Sequence, residues 1–96
     1  MAVVGLDFGC MNAVVAQAER GGVTVLLNEN SKRLNACQVS FQGKQRFLGE
    51  AAASIARSNY KNTVSCIKRF IGRKYQEPEV QSEMARVPGL KFVELQ

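Results

Sequence analysis

The apolar positions of this chain change period four times, and each change marks an element. Val3-Val4-Gly5-Leu6-Asp7 is a short continuous apolar run closed by a carboxylate, which predicts a buried strand. Phe8-Gly9-Cys10-Met11 then forms a turn, and Asn12 to Glu19, rich in Val and Ala, predicts a second strand. Gly21-Gly22 can take the positive φ values of a two-residue hairpin, so Val23 to Leu27 should fold back as a third antiparallel strand. From Asn28 to Asn35 only Leu34 is apolar, a loop by composition. Cys37 to Phe41 next alternates with the period of a half-buried strand, and Gln42-Gly43-Lys44 turns it into a return strand over Gln45 to Leu48.

Beyond Gly49 the pattern becomes helical. Glu50 to Arg57 is Ala-rich and favours helix. Asn62 can cap a second helix in which Val64, Ile67 and Ile71 recur at helical spacing and Gly72 ends the run. That spacing sets Lys68 beside the apolar stripe, where a lysine either runs its stem along packed side chains or points its ammonium into a cleft. Pro78 suits the first turn of a third helix, with Glu77, Glu79 and Glu83 early and Arg86 late, as the helix dipole prefers. Pro88-Gly89 stops it, and Leu90 to Leu95 reads as a last strand. The outcome is an α+β or α/β unit that begins with an antiparallel meander.

Ninety-six residues, 46% hydrophobic and 22% charged, fit one soluble globular unit with a marginal core. Cys10, Cys37 and Cys66 are odd in number and far apart, and the sequence has no histidine, which excludes the usual zinc spacings and a cysteine–histidine nucleophile. They read as reduced, small packing residues of a cytoplasmic protein. The apolar stretch Ala2–Leu6 has no preceding basic residue and is broken at once by Asp7, unlike a secretory signal or a membrane span. A net charge of +5 raises the question of an anionic partner, and the one local excess is Lys61, Lys68, Arg69, Arg73 and Lys74. A solvated basic surface is the favoured account of it, and no aromatic interleaving points to nucleic acid.

The chemistry concentrates in Gly5-Leu6-Asp7-Phe8-Gly9-Cys10-Met11-Asn12. A carboxylate at a strand end followed by a glycine-bearing turn can hold hydrated magnesium while successive N–H groups converge on a phosphate. The same motif also occurs in ordinary tight turns, with Asp7 accepting a turn N–H. A second segment, Lys61-Asn62-Thr63-Val64-Ser65-Cys66-Ile67-Lys68-Arg69-Phe70-Ile71-Gly72-Arg73, joins it. Together with Asn28-Glu29-Asn30-Ser31 and Arg46-Phe47-Leu48-Gly49-Glu50-Ala51-Ala52, these stretches resemble, in order and spacing, the start of the 70-kDa heat-shock (DnaK-like) chaperones. The resemblance covers essentially the whole chain. Asn12 in place of a usual tyrosine, and Asn28-Glu29 in place of Asn-Asp, lean towards the 110-kDa branch of that superfamily.

This resemblance implies a partial actin-like ATPase (ribonuclease H-like) fold, with residues 1–36 as the first strands of lobe I and residues 37–96 as part of its outer subdomain. It implies ATP or ADP with magnesium as cofactor. The position matching Lys68 reaches the γ-phosphate region as the catalytic lysine, Gly9, Cys10, Met11 and Asn12 form the phosphate turn, and Asp7 contacts magnesium through bound water. Implied partners are a standard 70-kDa heat-shock chaperone and unfolded polypeptides, with neither membrane nor nucleic acid. Cys10 and Met11 stand where most members carry threonines, so two phosphate-positioning hydroxyls are missing, and a site of this kind would bind ATP yet hydrolyse it poorly. Ala36 departs from the usual Thr-Pro-Ser stretch. A basic nucleic-acid-binding module and a sugar-kinase or actin relative are the alternatives.

Overall fold

The computed structural model describes residues 3–95. Met1, Ala2 and Gln96, which open residues 1–36 and close residues 37–96, lie outside them. The described residues form two antiparallel sheets in sequence. In the first, β1 (Val3–Phe8), β2 (Asn12–Glu19) and β3 (Gly22–Val25) lie in that order, and the short β4 (Asn35–Ala36) pairs with the start of β2. The second has the order β6-β5-β7, from β5 (Gln38–Gln42), β6 (Gln45–Leu48) and β7 (Thr63–Ser65). Helix α1 (Glu50–Ile55) packs on β5 and β6, and α2 (Pro78–Met84) follows the last strand. The change of sheet falls at Cys37, the residue between β4 and β5.

Register within the meander follows from its turns. Val3 to Phe8 face Ala18 to Ala13, and Glu19 faces Gly22, so the hairpin loop is Arg20-Gly21 and not the expected Gly21-Gly22. Gly21 supplies the positive φ, at 85°. The third strand stops at Val25, with one more bond from Leu26 N to the Val15 carbonyl. In the loop that follows, a side chain does the organising. Asn28 Oδ1 accepts from the N–H groups of Asn30 (2.8 Å) and Lys32 (3.1 Å), while its Nδ2 donates to the Leu34 carbonyl and to Asn35 Oδ1.

β1 is a strand as expected, but it is not buried: Leu6 is 75% exposed and Phe8 55%. The reason is geometric. The accessible surface is 7734 Å², against about 5,500 Å² for a compact monomer of this mass, and the radius of gyration is 16.2 Å, against about 12.5 Å. Among the described residues no layer covers either face of the first sheet, and the buried apolar positions are Ala52 on α1 and Val80 on α2.

Two further expectations fail. The helix expected to start at Asn62 is absent: Thr63–Ser65 pairs with β5 as β7, flanked by single 3-10 turns at Tyr60–Asn62 and Ile67–Arg69. β5 offers a free edge there, and Thr63 and Val64, branched at Cβ, fit a pleated edge better than a helix. Val64 and Ile67 still face one apolar cleft, so their shared burial was legible although its period was not. Residues 91–95 carry no strand pairing, because no strand among the described residues lies beside them.

The second sheet is fastened by a closed polar network. Thr63 Oγ1 donates to the Asn59 carbonyl (2.8 Å), so its single proton is spent and the Ser40 hydroxyl must donate to Thr63 Oγ1 (2.8 Å). Ser40 Oγ in turn accepts from Asn59 Nδ2 (2.8 Å), which also donates to the Phe41 carbonyl (2.9 Å). Ser40 is fully buried and Thr63 nearly so. Asn59→Ala removes two donors, one from the buried Ser40 hydroxyl and one from the Phe41 carbonyl, and is expected to cost about 1–2 kcal/mol; thermal unfolding with an unchanged midpoint would contradict the network's role.

Candidate functional site

The turn between β1 and β2 is built from backbone. Gly9 N–H donates to the Asn12 carbonyl (3.0 Å), closing it, and the Cys37 N–H donates to the Met11 carbonyl (2.9 Å), bracing it from the side. Asn12 and Ala13 pair with Ala36 and Asn35, and Asn35 Nδ2 adds a bond to the Ala13 carbonyl (3.1 Å). Gly9 is required by space: a Cβ there would lie 2.7 Å from the Asn12 carbonyl oxygen. Its φ is not positive, so close approach is the constraint. Among the described residues, the N–H groups of Cys10 and Met11 donate no hydrogen bond, and both side chains are exposed.

Lys68 meets this turn from the other sheet. Its Nζ donates to the Phe8 carbonyl at 2.8 Å, across sixty positions of sequence. That carbonyl belongs to the same peptide unit as the Gly9 N–H, so one peptide is held by the turn on its nitrogen side and by Lys68 on its oxygen side. The reason first given for Lys68, a place on a helical stripe, is wrong, since it sits in a 3-10 turn. Asp7 lies one residue earlier on β1, opposite Val14, exposed and without an ion pair among the described residues. Strand alternation sets its side chain on the face opposite Phe8.

An anion at this turn would meet the N–H groups of Cys10 and Met11, with the Lys68 ammonium bonded to the peptide that opens the turn. No group of three or more acidic, cysteine or histidine ligands occurs among the described residues. A single exposed carboxylate beside a turn with unbonded N–H groups is a donor set that would suit magnesium, which keeps most of its water and takes one or two carboxylates plus phosphate oxygens. The hydroxyls usual for such a turn are absent, because Cys10 and Met11 occupy its tip.

Two members of the basic cluster are engaged in ion pairs. Arg69 pairs with Glu83 (3.4 Å) and Arg73 with Glu77 (3.6 Å), while Arg86 shares Glu83 (3.7 Å). Arg69 and Arg73 each meet a carboxylate at α2 or its N-cap, which lowers the positive charge offered there and disfavours the nucleic-acid reading. The three cysteines are free thiols, Cys10 exposed and the other two half-buried. No helix among the described residues is long and apolar enough to cross a membrane. Sequence reasoning missed Asn28, Asn59 and the Phe8 carbonyl; a backbone acceptor leaves no residue signature, whereas an asparagine flanking a strand could have been flagged as a turn builder.

Comparison with known proteins gives the setting. A family model described as Hsp70 protein matches residues 3–96. Heat shock 70 kDa protein 16 of Arabidopsis thaliana is 50% identical over 88 residues, 92% of this chain and 12% of that protein. Heat shock protein 88 of Dictyostelium discoideum is 48% identical over 82 residues, 85% of this chain and 11% of that one. The 97 kDa heat shock protein of Strongylocentrotus purpuratus is 47% identical over 88 residues, 92% and 10%. These are members of the heat-shock chaperone superfamily, whose nucleotide domain has the actin-like ATPase fold. The chain belongs to the Hsp70 family, among relatives of its Hsp70/110 kind. It spans about a tenth of the length of the curated relatives it matches.

Proposed function

We propose that this chain supplies one phosphate-contacting wall of the ATP cleft in a cytoplasmic chaperone or nucleotide-exchange co-chaperone of the Hsp70 family. The observation that carries the reading is the bond from Lys68 Nζ to the Phe8 carbonyl, which sets an ammonium against the turn whose Cys10 and Met11 N–H groups are free. In this reading residues 1–36 are the first strands of lobe I with their phosphate turn, and residues 37–96 belong to its outer subdomain. Gly9, Cys10, Met11 and Asn12 cradle phosphate, Lys68 contacts the transferred phosphoryl group, and Asp7 holds magnesium through water. ATP or ADP with magnesium would neutralise charge and orient the phosphates; the chain's own residues bind and position them.

The partners of this reading are a standard 70-kDa heat-shock chaperone and unfolded polypeptides, both engaged through the longer protein. A single wall binds weakly, because association must overcome several kcal/mol of lost freedom with few contacts. Calorimetry with Mg-ATP should therefore find the 96-residue chain binding at best in the high micromolar range, and a longer Hsp70-family polypeptide carrying this segment binding far more tightly. Submicromolar, magnesium-dependent binding by the chain alone would contradict the one-wall reading, and an inert longer polypeptide would contradict the ATP site.

A further inference from the structure

We propose that Cys66 is the positioning residue for Lys68, acting through its backbone: its left-handed conformation ends β7 and swings the chain so that the ammonium meets the Phe8–Gly9 peptide. Cys66 has φ 54° and ψ 36°. Besides Ser31, it is the one non-glycine residue with positive φ among the described residues. A Cβ is sterically penalised in this region, so a non-glycine residue persists there only where its surroundings hold it. At Ser31 the setting is the exposed loop organised by Asn28, whose carbonyl takes the Ser31 N–H. Cys66 is half-buried and stands at a junction.

Immediately before it, Ser65 pairs with Gln38, the last rung of the β5–β7 ladder. Immediately after it, the Cys66 carbonyl takes the Arg69 N–H (3.1 Å) and the chain closes into the 3-10 turn that carries Lys68. That turn is then fixed on both sides of the lysine. Ile67 enters the apolar cleft lined by Phe8 and Val64, and Arg69 is tied to Glu83. An extended residue 66 would let the strand run on past Gln38 at about 3.3 Å per residue, carrying Lys68 about 10 Å beyond Ser65. The left-handed step converts strand into turn, and the lysine gains its carbonyl partner as a result.

The functional weight of this assignment rests on the phosphate reading of Lys68, but the geometry is testable without a nucleotide. The measurement is water exchange of the Lys68 ammonium by nitrogen-15 NMR in the full chain, with the β5–β7 amides as the check that the sheet is intact. Asparagine tolerates the left-handed region and valine, branched at Cβ, does not. Bonded to the Phe8 carbonyl, the Lys68 ammonium is expected to exchange more slowly than the other lysines; Cys66→Asn should keep that rate, and Cys66→Val should speed it about tenfold or more with the ladder still formed. Unchanged exchange in folded Cys66→Val overturns the proposal. Should Cys66→Val fail to fold, Cys66→Asn decides: slow exchange supports the assignment, and fast exchange in a folded protein overturns it. Adding Mg-ATP to the unsubstituted protein then tests the phosphate reading separately, since an unperturbed Lys68 signal counts against that reading and leaves the Cys66 result standing.

Discussion

Gly9→Ala should be the most destructive single methyl in the first half of the chain. The new Cβ would lie 2.7 Å from the Asn12 carbonyl oxygen, a backbone atom held by its own bond to the Gly9 N–H. Forcing such a contact apart costs about 1–3 kcal/mol, and the displaced turn loses a hydrogen bond worth about 1 kcal/mol. Alanine's smaller unfolded-state entropy returns about 0.4–1 kcal/mol. A net loss of about 1–3.5 kcal/mol remains, which for a domain of this size lowers the melting temperature by about 4 °C or more. Gly5→Ala is the matched control, because a Cβ there meets nothing within 4 Å. Thermal melts of the two variants that fall together would remove the steric role assigned to Gly9. The functional consequence is that the N–H groups of Cys10 and Met11, free only because the turn closes beneath them, would lose their shared direction.

Lys68→Met is expected to have the largest effect on chemistry. In a longer Hsp70-family polypeptide carrying this segment, single-turnover ATP hydrolysis should fall about 100-fold, the usual consequence of removing one preorganised charge-stabilising donor. Lys61→Met, which removes a charge of the same sign from outside the site, should leave the rate within about twofold. Lys68→Arg is not a conservative rescue, since a planar fork cannot take the place of a compact ammonium against one carbonyl. Movement in the opposite direction is expected from the turn: Cys10→Thr with Met11→Thr restores two hydroxyls and should raise turnover in the same assay. An unchanged rate in Lys68→Met would withdraw the lysine from the mechanism, whatever its contacts.

How far the sequence reveals this molecule depends on which interactions are local. The β1–β2 hairpin, the Gln45–Leu48 return strand and the Pro78 start of α2 follow from residue type and turn chemistry, and appear where expected within a residue or two. Thr63–Ser65 was misread because Val64, Ile67 and Ile71 match a helical period, while the deciding interaction is a free strand edge supplied from twenty-five residues upstream at Gln38 to Ser40. The expected burial of β1 failed for a related reason, since covering a two-faced apolar strand takes layers that the described residues do not provide. Within the candidate site, Gly9 and Asp7 stand out by residue type and spacing, while Lys68 was singled out through the family resemblance and not by its helical placement. The Phe8 carbonyl and the left-handed backbone of Cys66 carry none, as both are properties of the main chain.

The central claim is that the Gly9–Asn12 turn and Lys68 form one phosphate-binding wall. An ATP analogue bearing a reactive acyl group on its terminal phosphate tests this most directly, because it acylates whichever lysine lies at that phosphate. Applied to a longer Hsp70-family polypeptide carrying this segment and followed by peptide mapping, it should label Lys68, with labelling suppressed by excess Mg-ATP and lost in Gly9→Ala. Labelling that spares Lys68, falls on Lys61 and Lys74 instead, or is indifferent to competing ATP would contradict the claim.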